Sequence, residues 1–250
     1  MHKINIHQAV ILSGGRGERL RPLTDTMPKP MAPISEVPFL DFLIHSIVQA
    51  GIENILILLG YKAGVIAERY KSILNINIEF SYGSEEDQTG RRVLNAYDHL
   101  DDHFLLMYGD NYWPIELDKM WTNYQNLDTA LTTSVFSNKN GTGEYGFRNN
   151  VVVGEDGLVV KYDKKRETDA ANGVDMGYFL VAKDALDHEI SGNVSFEIDI
   201  LPRFIARKQL GAYVSDVQYY YITNMQTLKD FEAATVGNNF FPLPKEYFGA

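Results

Sequence analysis

Residues 7–30 read HQAVILSGGRGERLRPLTDTMPKP and join an apolar run to a loop rich in glycine, arginine and proline. The run His7–Leu12 predicts a buried strand, and the loop leaves its carboxyl end, where open α/β sheets bind their ligands. Gly14, Gly15 and Gly17 allow successive backbone N–H groups to approach an oxyanion without obstruction by a Cβ atom. The stretch therefore predicts a phosphate-binding loop.

Two basic side chains of this segment suit a phosphate ligand. Arg19 offers a planar fork for paired oxygens, and Lys29 offers a compact positive charge. Pro28 and Pro30 flank the lysine and favour an extended backbone on both sides of it. Two better-known loops are excluded, because no Lys-Ser pair follows the glycines and Glu18 stands where a dinucleotide fingerprint needs its third glycine.

Strands and helices alternate along the rest of the chain, which predicts βαβ units around a mainly parallel sheet. The predicted strands are His7–Leu12, Asn54–Leu59, Ile76–Tyr82, His103–Tyr108, Thr129–Phe136, Val174–Ala182 and Ala212–Tyr221. The predicted helices are Phe39–Ala50, Ala63–Lys71, Arg92–Leu100, Leu117–Asn126, Phe196–Arg207 and Met225–Thr235. Asp156-Gly157, between two β-branched runs, predicts a hairpin.

The composition excludes several classes of protein. The 250 residues include 45% hydrophobic residues, enough for a large core, and no cysteine, which excludes disulfides and thiolate metal sites. A net charge of −10 with dispersed basic residues argues against nucleic acid as a partner. No apolar window is long enough to span a membrane, so we expect no membrane association and a cytoplasmic location.

The run LSGGRGERLRPLTDTMPKPMAPI, residues 12–34, resembles the signature of the sugar-1-phosphate nucleotidylyltransferases, L-x-G-G-x-G-x-R-L-x-P-L-T followed by P-K-P-M. The resemblance implies a Rossmann-like α/β/α sandwich with a mixed, mainly parallel sheet. It implies an enzyme that joins a nucleoside triphosphate to a sugar 1-phosphate and releases pyrophosphate. In that family the glycine loop and Arg19 hold the triphosphate, and Lys29 contacts phosphates at the reaction centre.

Asp110 is the predicted metal ligand. It follows Gly109 at the end of an apolar strand, where a carboxylate suits Mg²⁺ or caps the next turn. The resemblance favours Mg²⁺ as cofactor and makes Arg19, Lys29 and Asp110 the catalytic residues. Many relatives supply a second aspartate late in the chain, but Ile222 stands at that position. The segment around Asn224 resembles the V-N-N segment of the N-acetylglucosamine-1-phosphate uridylyltransferases, whose second ligand is an asparagine, and this resemblance makes Asn224 the candidate for the second ligand.

The stretch 81–97 resembles the segment with which relatives read the nucleobase. Gln88, Thr89 and Gly90 match that segment, whereas Arg91 and Arg92 replace residues that are small in relatives. The complete predicted nucleotide-binding set is Leu12, Ser13, Gly14, Gly15, Gly17, Arg19, Gln88, Thr89, Gly90 and Gly109.

Three stretches of the second half resemble the sugar-phosphate site of the family. YDKKRE resembles F-x-E-K-P and assigns Lys165 to the phosphate, with Lys164 as the next choice; a solvated charge run is the alternative. DMGYF resembles N-A-G-I-Y and assigns Asp175 and Gly177 to the sugar. FEIDILP assigns Glu197 to sugar hydroxyls.

The resemblance also guides the expected substrates and organisation. Heptose-1-phosphate and mannose-1-phosphate guanylyltransferases look most similar, which favours GTP; thymidylyl, cytidylyl and uridylyl transfer, and a choline- or amino-acid-phosphate acceptor, stay open. A weakly active nucleotide-sugar sensor is the competing class, and a nicotinamide-dependent oxidoreductase is a poorer one. The predicted domain is 1–237, with 1–110 for the nucleotide and 111–237 for the sugar phosphate, and 238–250 is a tail or linker. A homo-oligomer and a following phosphatase domain are compatible with this reading.

Overall fold

The computed structural model describes residues 4–249, which form two compact units. The glycine-loop unit comprises residues 7–87, 107–115 and 220–249, and the central unit comprises residues 4–6, 88–106 and 116–219. Both units are built from separated stretches of the chain. Residues 1–3 and 250, which belong to the predicted domain and tail, lie outside the described residues.

The elements follow the predicted alternation of strands and helices. The strands are β1 (Gln8–Ser13), β2 (Pro33–Ile34), β3 (Val37–Pro38), β4 (Asn54–Leu59), β5 (Asn77–Tyr82), β6 (His103–Tyr108), β7 (Asn111–Tyr112), β8 (Leu131–Phe136), β9 (Val151–Val153), β10 (Val159–Tyr162), β11 (Val174–Ala182), β12 (Leu210–Ser215) and β13 (Tyr220–Tyr221). The α-helices are α1 (Phe39–Gln49), α2 (Ala63–Tyr70), α3 (Thr89–Asn95), α4 (Leu117–Leu127), α5 (Leu201–Ala206) and α6 (Met225–Asn238).

Strands β1, β4 and β5 of the glycine-loop unit pair in parallel without a register break, from Gln8 beside Asn54 to Leu59 beside Tyr82. All six residues of β1 are buried, as a strand covered on both faces requires. Helices α1 and α2 provide the crossover connections between parallel neighbours. The loop after β1 thus begins at the carboxyl end of a buried parallel strand, as predicted.

The central unit contains β8, with β12 parallel to it and β11 antiparallel to it. Beside them, β9 and β10 form the predicted hairpin, and Gly157 of its turn has φ +77°. Within the central unit the strand order is β12-β8-β11, and within the glycine-loop unit it is β1-β4-β5. The predicted α/β fold with a mixed, mainly parallel sheet is therefore confirmed.

Two predicted helices differ in detail from those observed. Helix α3 begins at Thr89, three residues before the predicted start, and it ends at Asn95. The predicted helix Phe196–Arg207 opens with a π-helical turn, Phe196–Ile200, and becomes α-helical only in α5. Pro202 lies in the first turn of α5 and has no N–H to donate. The regular α-helical hydrogen bonds, from each N–H to the carbonyl four residues earlier, therefore cannot continue back through the preceding turn.

The carboxyl segment packs within the glycine-loop unit. Leu243 N donates to Asp41 O over 3.1 Å, and Tyr247 O accepts from Leu74 N over 2.7 Å. Asp41, 1% exposed, binds the guanidinium of Arg69 and the hydroxyl of Tyr70.

Among residues 4–249, no helix combines the length and apolar character that a bilayer crossing needs.

Candidate active site

The glycine loop is held by side chains and backbone of its own unit. Tyr61 N donates to Gly14 O over 3.0 Å, and the Tyr61 hydroxyl donates to Thr24 O over 2.9 Å. Thr24 Oγ1 in turn donates to Gly17 O over 3.0 Å. Three hydrogen bonds therefore fix carbonyls of this region.

Gly15 and Gly17 have different physical reasons to be glycine. Gly17 has φ +63°, and a Cβ there would lie 2.9 Å from Lys29 Cβ. A Cβ on Gly15 would have no atom of another residue within 4 Å, so Gly15 leaves open space above the loop. Gly17 thus has a packing reason to be glycine, whereas the binding role of Gly15 stays a prediction.

This contrast gives a testable prediction. We expect Gly17→Ala to lower the free energy of unfolding by about 1–3 kcal/mol, because alanine at positive φ is strained and its methyl group displaces Lys29. Gly15→Ala should change stability by less than about 0.5 kcal/mol and weaken phosphate-ligand binding instead. Urea unfolding and calorimetric titration with a nucleoside triphosphate measure the two effects. Equal destabilisation by both substitutions would contradict the assignment.

Lys29 and Asp110 form an ion pair beside this loop, with Lys29 Nζ 2.5 Å from Asp110 Oδ2. The lysine side chain is 11% exposed, and that of the aspartate is 36% exposed. Gly109, which precedes Asp110, allows the backbone to pack closely against β1, because a Cβ atom on Gly109 would lie 2.7 Å from Leu12 O. A positive and a negative group are thus fixed together, partly shielded from water, at the edge of the sheet.

The carboxylate of Asp110 suits a magnesium ion whose other ligands are water molecules and triphosphate oxygens. Asp110 has one partly exposed carboxylate, and among residues 4–249 no group of three or more acidic or histidine side chains is arranged so that it could hold a metal ion. Ile222 N donates to Asp110 O over 3.0 Å, so the late segment reaches this aspartate through its backbone. One carboxylate completed by water and triphosphate oxygens is a common Mg²⁺ arrangement.

Asn224 serves as the N-cap of α6. Its Oδ1 accepts from Gln226 N over 2.9 Å and from Thr227 N over 3.1 Å, and Thr227 Oγ1 accepts from Asn224 N. Both lone pairs of the amide oxygen are engaged in this capping box. A role for Asn224 as metal ligand stays a prediction, and it would require one of these bonds to open.

The sequence reasoning missed Arg16. Its guanidinium lies 2.8 Å from Glu85 Oε2 and 2.9 Å from Glu86 Oε1, and it lies 5.5 Å from the centre of the Tyr61 ring. The hydrogen bond that Arg16 donates to Glu86 and the negative charge of Glu85 raise the pKa of Arg16. Arg19, the predicted phosphate ligand, is exposed. The feature of the sequence that corresponds to this contact is the Glu85-Glu86 pair after β5, and that pair belongs to no recognisable motif.

In the central unit, the predicted base-reading residues contact the segment 193–196. Gln88 N donates to Asn193 Oδ1 over 2.6 Å, and Thr89 Oγ1 accepts from Phe196 N over 2.9 Å. A Cβ on Gly90 would lie 2.8 Å from Val194 O, so this glycine is required by close packing.

The predicted sugar-binding residues Asp175, Gly177 and Glu197 come together in the central unit. Asp175 Oδ1 accepts from Thr133 Oγ1 over 2.8 Å and from Gly177 N over 3.1 Å. Lys164 Nζ binds Glu197 Oε2, whereas the side chain of the preferred candidate, Lys165, is exposed. Glu197 is therefore paired with Lys164, the second candidate from the sequence, and not with Lys165.

Tyr162 connects the two acids, and the sequence reasoning did not single it out. Its hydroxyl lies 3.1 Å from Asp175 Oδ2 and 3.3 Å from Glu197 Oε1. A phenol has one proton to donate, so it can donate to only one of these carboxylates at a time. Burial, with the nearby Glu197 charge, raises the pKa of Asp175 to about 6. A protonated Asp175 can donate to Tyr162, which then donates to Glu197.

The predicted residues thus fall into two groups. The glycine-loop unit contains Leu12, Ser13, Gly14, Gly15, Gly17, Arg19, Lys29, Gly109, Asp110 and Asn224. The central unit contains Gln88, Thr89, Gly90, Lys165, Asp175, Gly177 and Glu197. The first group has the character of a phosphate and metal site, and the second offers hydroxyl-binding acids and cations.

Comparison with known proteins identifies the family. The family model described as nucleotidyl transferase matches residues 8–222. D-glycero-alpha-D-manno-heptose 1-phosphate guanylyltransferase of Campylobacter jejuni is 32% identical over 194 residues, 76% of this chain and 83% of that protein. The enzyme of the same name from Aneurinibacillus thermoaerophilus is 27% identical over 85% of this chain and 91% of its own length.

Solved structures agree with the fold. The crystal structure of HddC from Yersinia pseudotuberculosis complexed with GMP-PN has a TM-score of 0.77 and 24% identity, and the match covers 92% of this chain and 99% of that chain. At this identity the likeness concerns the fold alone. With the family model and the curated relatives, the conclusion is that the chain belongs to the nucleotidyl transferase family and, within it, to the sugar-1-phosphate nucleotidylyltransferases.

Proposed function

We propose that this enzyme transfers a guanylyl group from GTP to a heptose 1-phosphate or mannose 1-phosphate, with Mg²⁺ as cofactor, in the cytoplasm. The observation that carries the proposal is the Lys29–Asp110 pair, 2.5 Å apart beside the glycine loop. The preference for GTP and heptose rests on the names of the Campylobacter and Aneurinibacillus relatives.

In the proposed reaction, a phosphate oxygen of the sugar 1-phosphate attacks the α-phosphorus of the triphosphate. The new P–O bond forms as the bond from the α-phosphorus to the bridging oxygen breaks, and pyrophosphate leaves with that electron pair. The attacking group is already anionic near neutral pH, so no protein base is required. Catalysis then rests on alignment and on neutralisation of charge.

The residues of the chain supply these two effects. Backbone N–H groups of residues 14–17 cradle phosphate oxygens, and Lys29 neutralises charge that develops on the transferred group. Asp110 would hold Mg²⁺, which supplies Lewis-acid polarisation of the phosphates when it is bound. In the central unit, Glu197 and Asp175 accept hydrogen bonds from sugar hydroxyls, and Lys164 or Lys165 binds the sugar phosphate.

Release of pyrophosphate from four nucleoside triphosphates, each with several sugar 1-phosphates, tests this proposal. We expect GTP with a heptose or mannose 1-phosphate to react fastest, and Asp110→Asn to lower kcat by at least about 100-fold. Preference for UTP, dTTP or CTP would overturn the assigned base. Binding without turnover for every pair would favour a sensor of nucleotide sugars.

The acidic partners of Arg16 give a second prediction. We expect the double substitution Glu85→Gln and Glu86→Gln to lower the KM for the triphosphate about 3- to 10-fold at low ionic strength, because it removes two charges that repel the ligand and hold Arg16. The effect should shrink at high salt. Initial rates at low and high salt measure it, with Glu68→Gln, which removes an exposed ion pair to Lys71, as the control. A raised KM would contradict the prediction.

A further inference from the structure

Arg91 uses its side chain to hold the backbone of a loop. Its Nε donates to Gly192 O over 2.6 Å, and its Nη2 donates to Ile190 O over 2.5 Å. Its backbone N–H donates to Val194 O over 2.9 Å. Two side-chain nitrogens are thus committed to main-chain carbonyls, which does not suit a residue that reads a nucleobase.

Neighbouring residues make the same connection. Asn193 Oδ1 accepts from Gln88 N, and Phe196 N donates to Thr89 Oγ1. Gly90 lies so close to the loop that a Cβ would be 2.8 Å from Val194 O and 3.0 Å from Phe196 N. The segments 88–91 and 190–196 are therefore joined by side-chain and backbone bonds and by close packing. We call this connection the Arg91 clamp.

The two segments lead to different substrates in the proposed reaction. Segment 88–90 contains the predicted nucleotide contacts, and segment 190–196 leads directly into Glu197, the predicted sugar contact. Ser195, within the clamped loop, accepts from Ile198 N, and Asp199 accepts from Ser195 N, so the turn that contains Glu197 is anchored to this loop. A displacement of either segment is thus transmitted to the other through short bonds.

We propose that Arg91 is a positioning residue that couples the binding of the nucleoside triphosphate to that of the sugar 1-phosphate, and this inference rests on the proposed function. A triphosphate that orders residues 88–90 also orders the loop before Glu197, so the second substrate binds a site that is already formed. The coupling acts in both directions, because linkage between two binding sites is reciprocal.

The choice of arginine has a physical reason. A guanidinium presents its donors in a fixed fork, which fits two carbonyls two residues apart, whereas a lysine ammonium holds such a pair less rigidly. Arg91 lies in the N-terminal turn of α3, where the helix dipole disfavours a positive charge. Arginine at this position therefore has an electrostatic cost. The contacts of the clamp outweigh that cost.

The test is a rate matrix in which both substrates are varied, for the wild type, Arg91→Gln, Arg91→Lys and Asn193→Ala. We expect the wild type to show tighter sugar-phosphate binding at saturating triphosphate, by at least about 5-fold. In Arg91→Gln this factor should fall towards 1 and the KM for sugar phosphate should rise about 5- to 20-fold, while kcat changes less than about 3-fold. Arg91→Lys should recover part of the coupling.

Arg203→Ala is the matched control, because it removes an arginine of the same unit with one exposed 3.5 Å ion pair to Asp187. It should keep the wild-type coupling factor. If Arg91→Gln fails to fold, Asn193→Ala removes the bond from Gln88 N while it keeps the Arg91 contacts, and it should lower the coupling less steeply. An unchanged factor in the folded variants, or no coupling in the wild type, would overturn the inference and leave the proposed function intact. No turnover by the wild type with any substrate pair would overturn both.

Discussion

We expect Lys29→Gln to lower kcat by about 100- to 1,000-fold, the cost that removal of one preorganised charge from a reaction centre typically has. Lys29 Nζ is 2.5 Å from Asp110, and the lysine side chain is only 11% exposed, so its charge acts where water screens it little. Glutamine keeps most of the volume and some hydrogen bonding but removes the charge. Pyrophosphate release under saturating substrates measures the effect.

Two further variants make this prediction specific. Lys71→Gln removes a lysine with a comparable carboxylate contact, 2.7 Å from Glu68, but on an exposed surface, and it should keep kcat within about 2-fold. The double variant Lys29→Gln with Asp110→Asn should lose less than the product of the single losses, because the two side chains act as one unit. Exactly multiplicative losses, or a Lys29→Gln variant with wild-type kcat, would remove the pair from the mechanism.

The second large effect concerns stability. Because burial raises the pKa of Asp175 to about 6, above its ordinary value of 3.8, the folded state binds this proton more tightly than the unfolded state does. Its contribution to stability is therefore fully present below about pH 4 and is lost as the pH rises through about 6. The difference of about 2 pKa units corresponds to about 3 kcal/mol at pH 8.

Asp175→Asn should remove this cost, because the amide imitates the protonated acid and can donate to Tyr162. We expect urea unfolding to show the variant more stable than the wild type by about 3 kcal/mol at pH 8 and by about half as much at pH 5. Asp184→Asn, at an exposed position, should show no such difference. A variant that is less stable than the wild type at pH 8 would show that the ionised carboxylate is favoured here.

Local sequence patterns predicted the fold well where they agree with the packing. The uninterrupted apolar runs of β1, β4 and β6 identify buried strands, and the Asp156-Gly157 turn identifies the hairpin. The helix at 196–207 was predicted less accurately. The effect of Pro202 on the preceding turn depends on which backbone N–H groups remain to form helical hydrogen bonds. Periodicity alone does not distinguish a π-helical turn from an α-helical one.

The candidate site was predictable where each of its members lies in a recognisable short motif. The P-K-P segment and the Gly109-Asp110 pair indicated Lys29 and Asp110, which the structure places in contact. Pairs formed by distant segments left no pattern in the sequence. Arg16 with Glu85, and Tyr162 with Asp175, each need the tertiary fold to meet, and the two arginines after Gly90 carried no hint of their partners.

The order in which the chain is made bears on the glycine-loop unit. That unit combines residues 7–87 with residues 220–249, which the ribosome makes later. At about 5–20 residues per second, the ribosome delivers the later stretch roughly 7 to 27 s after the earlier one. During this interval Asp41 and Arg69 lack their contacts with Leu243 and Phe248, so the nascent polypeptide exposes an incomplete surface that chaperones can recognise.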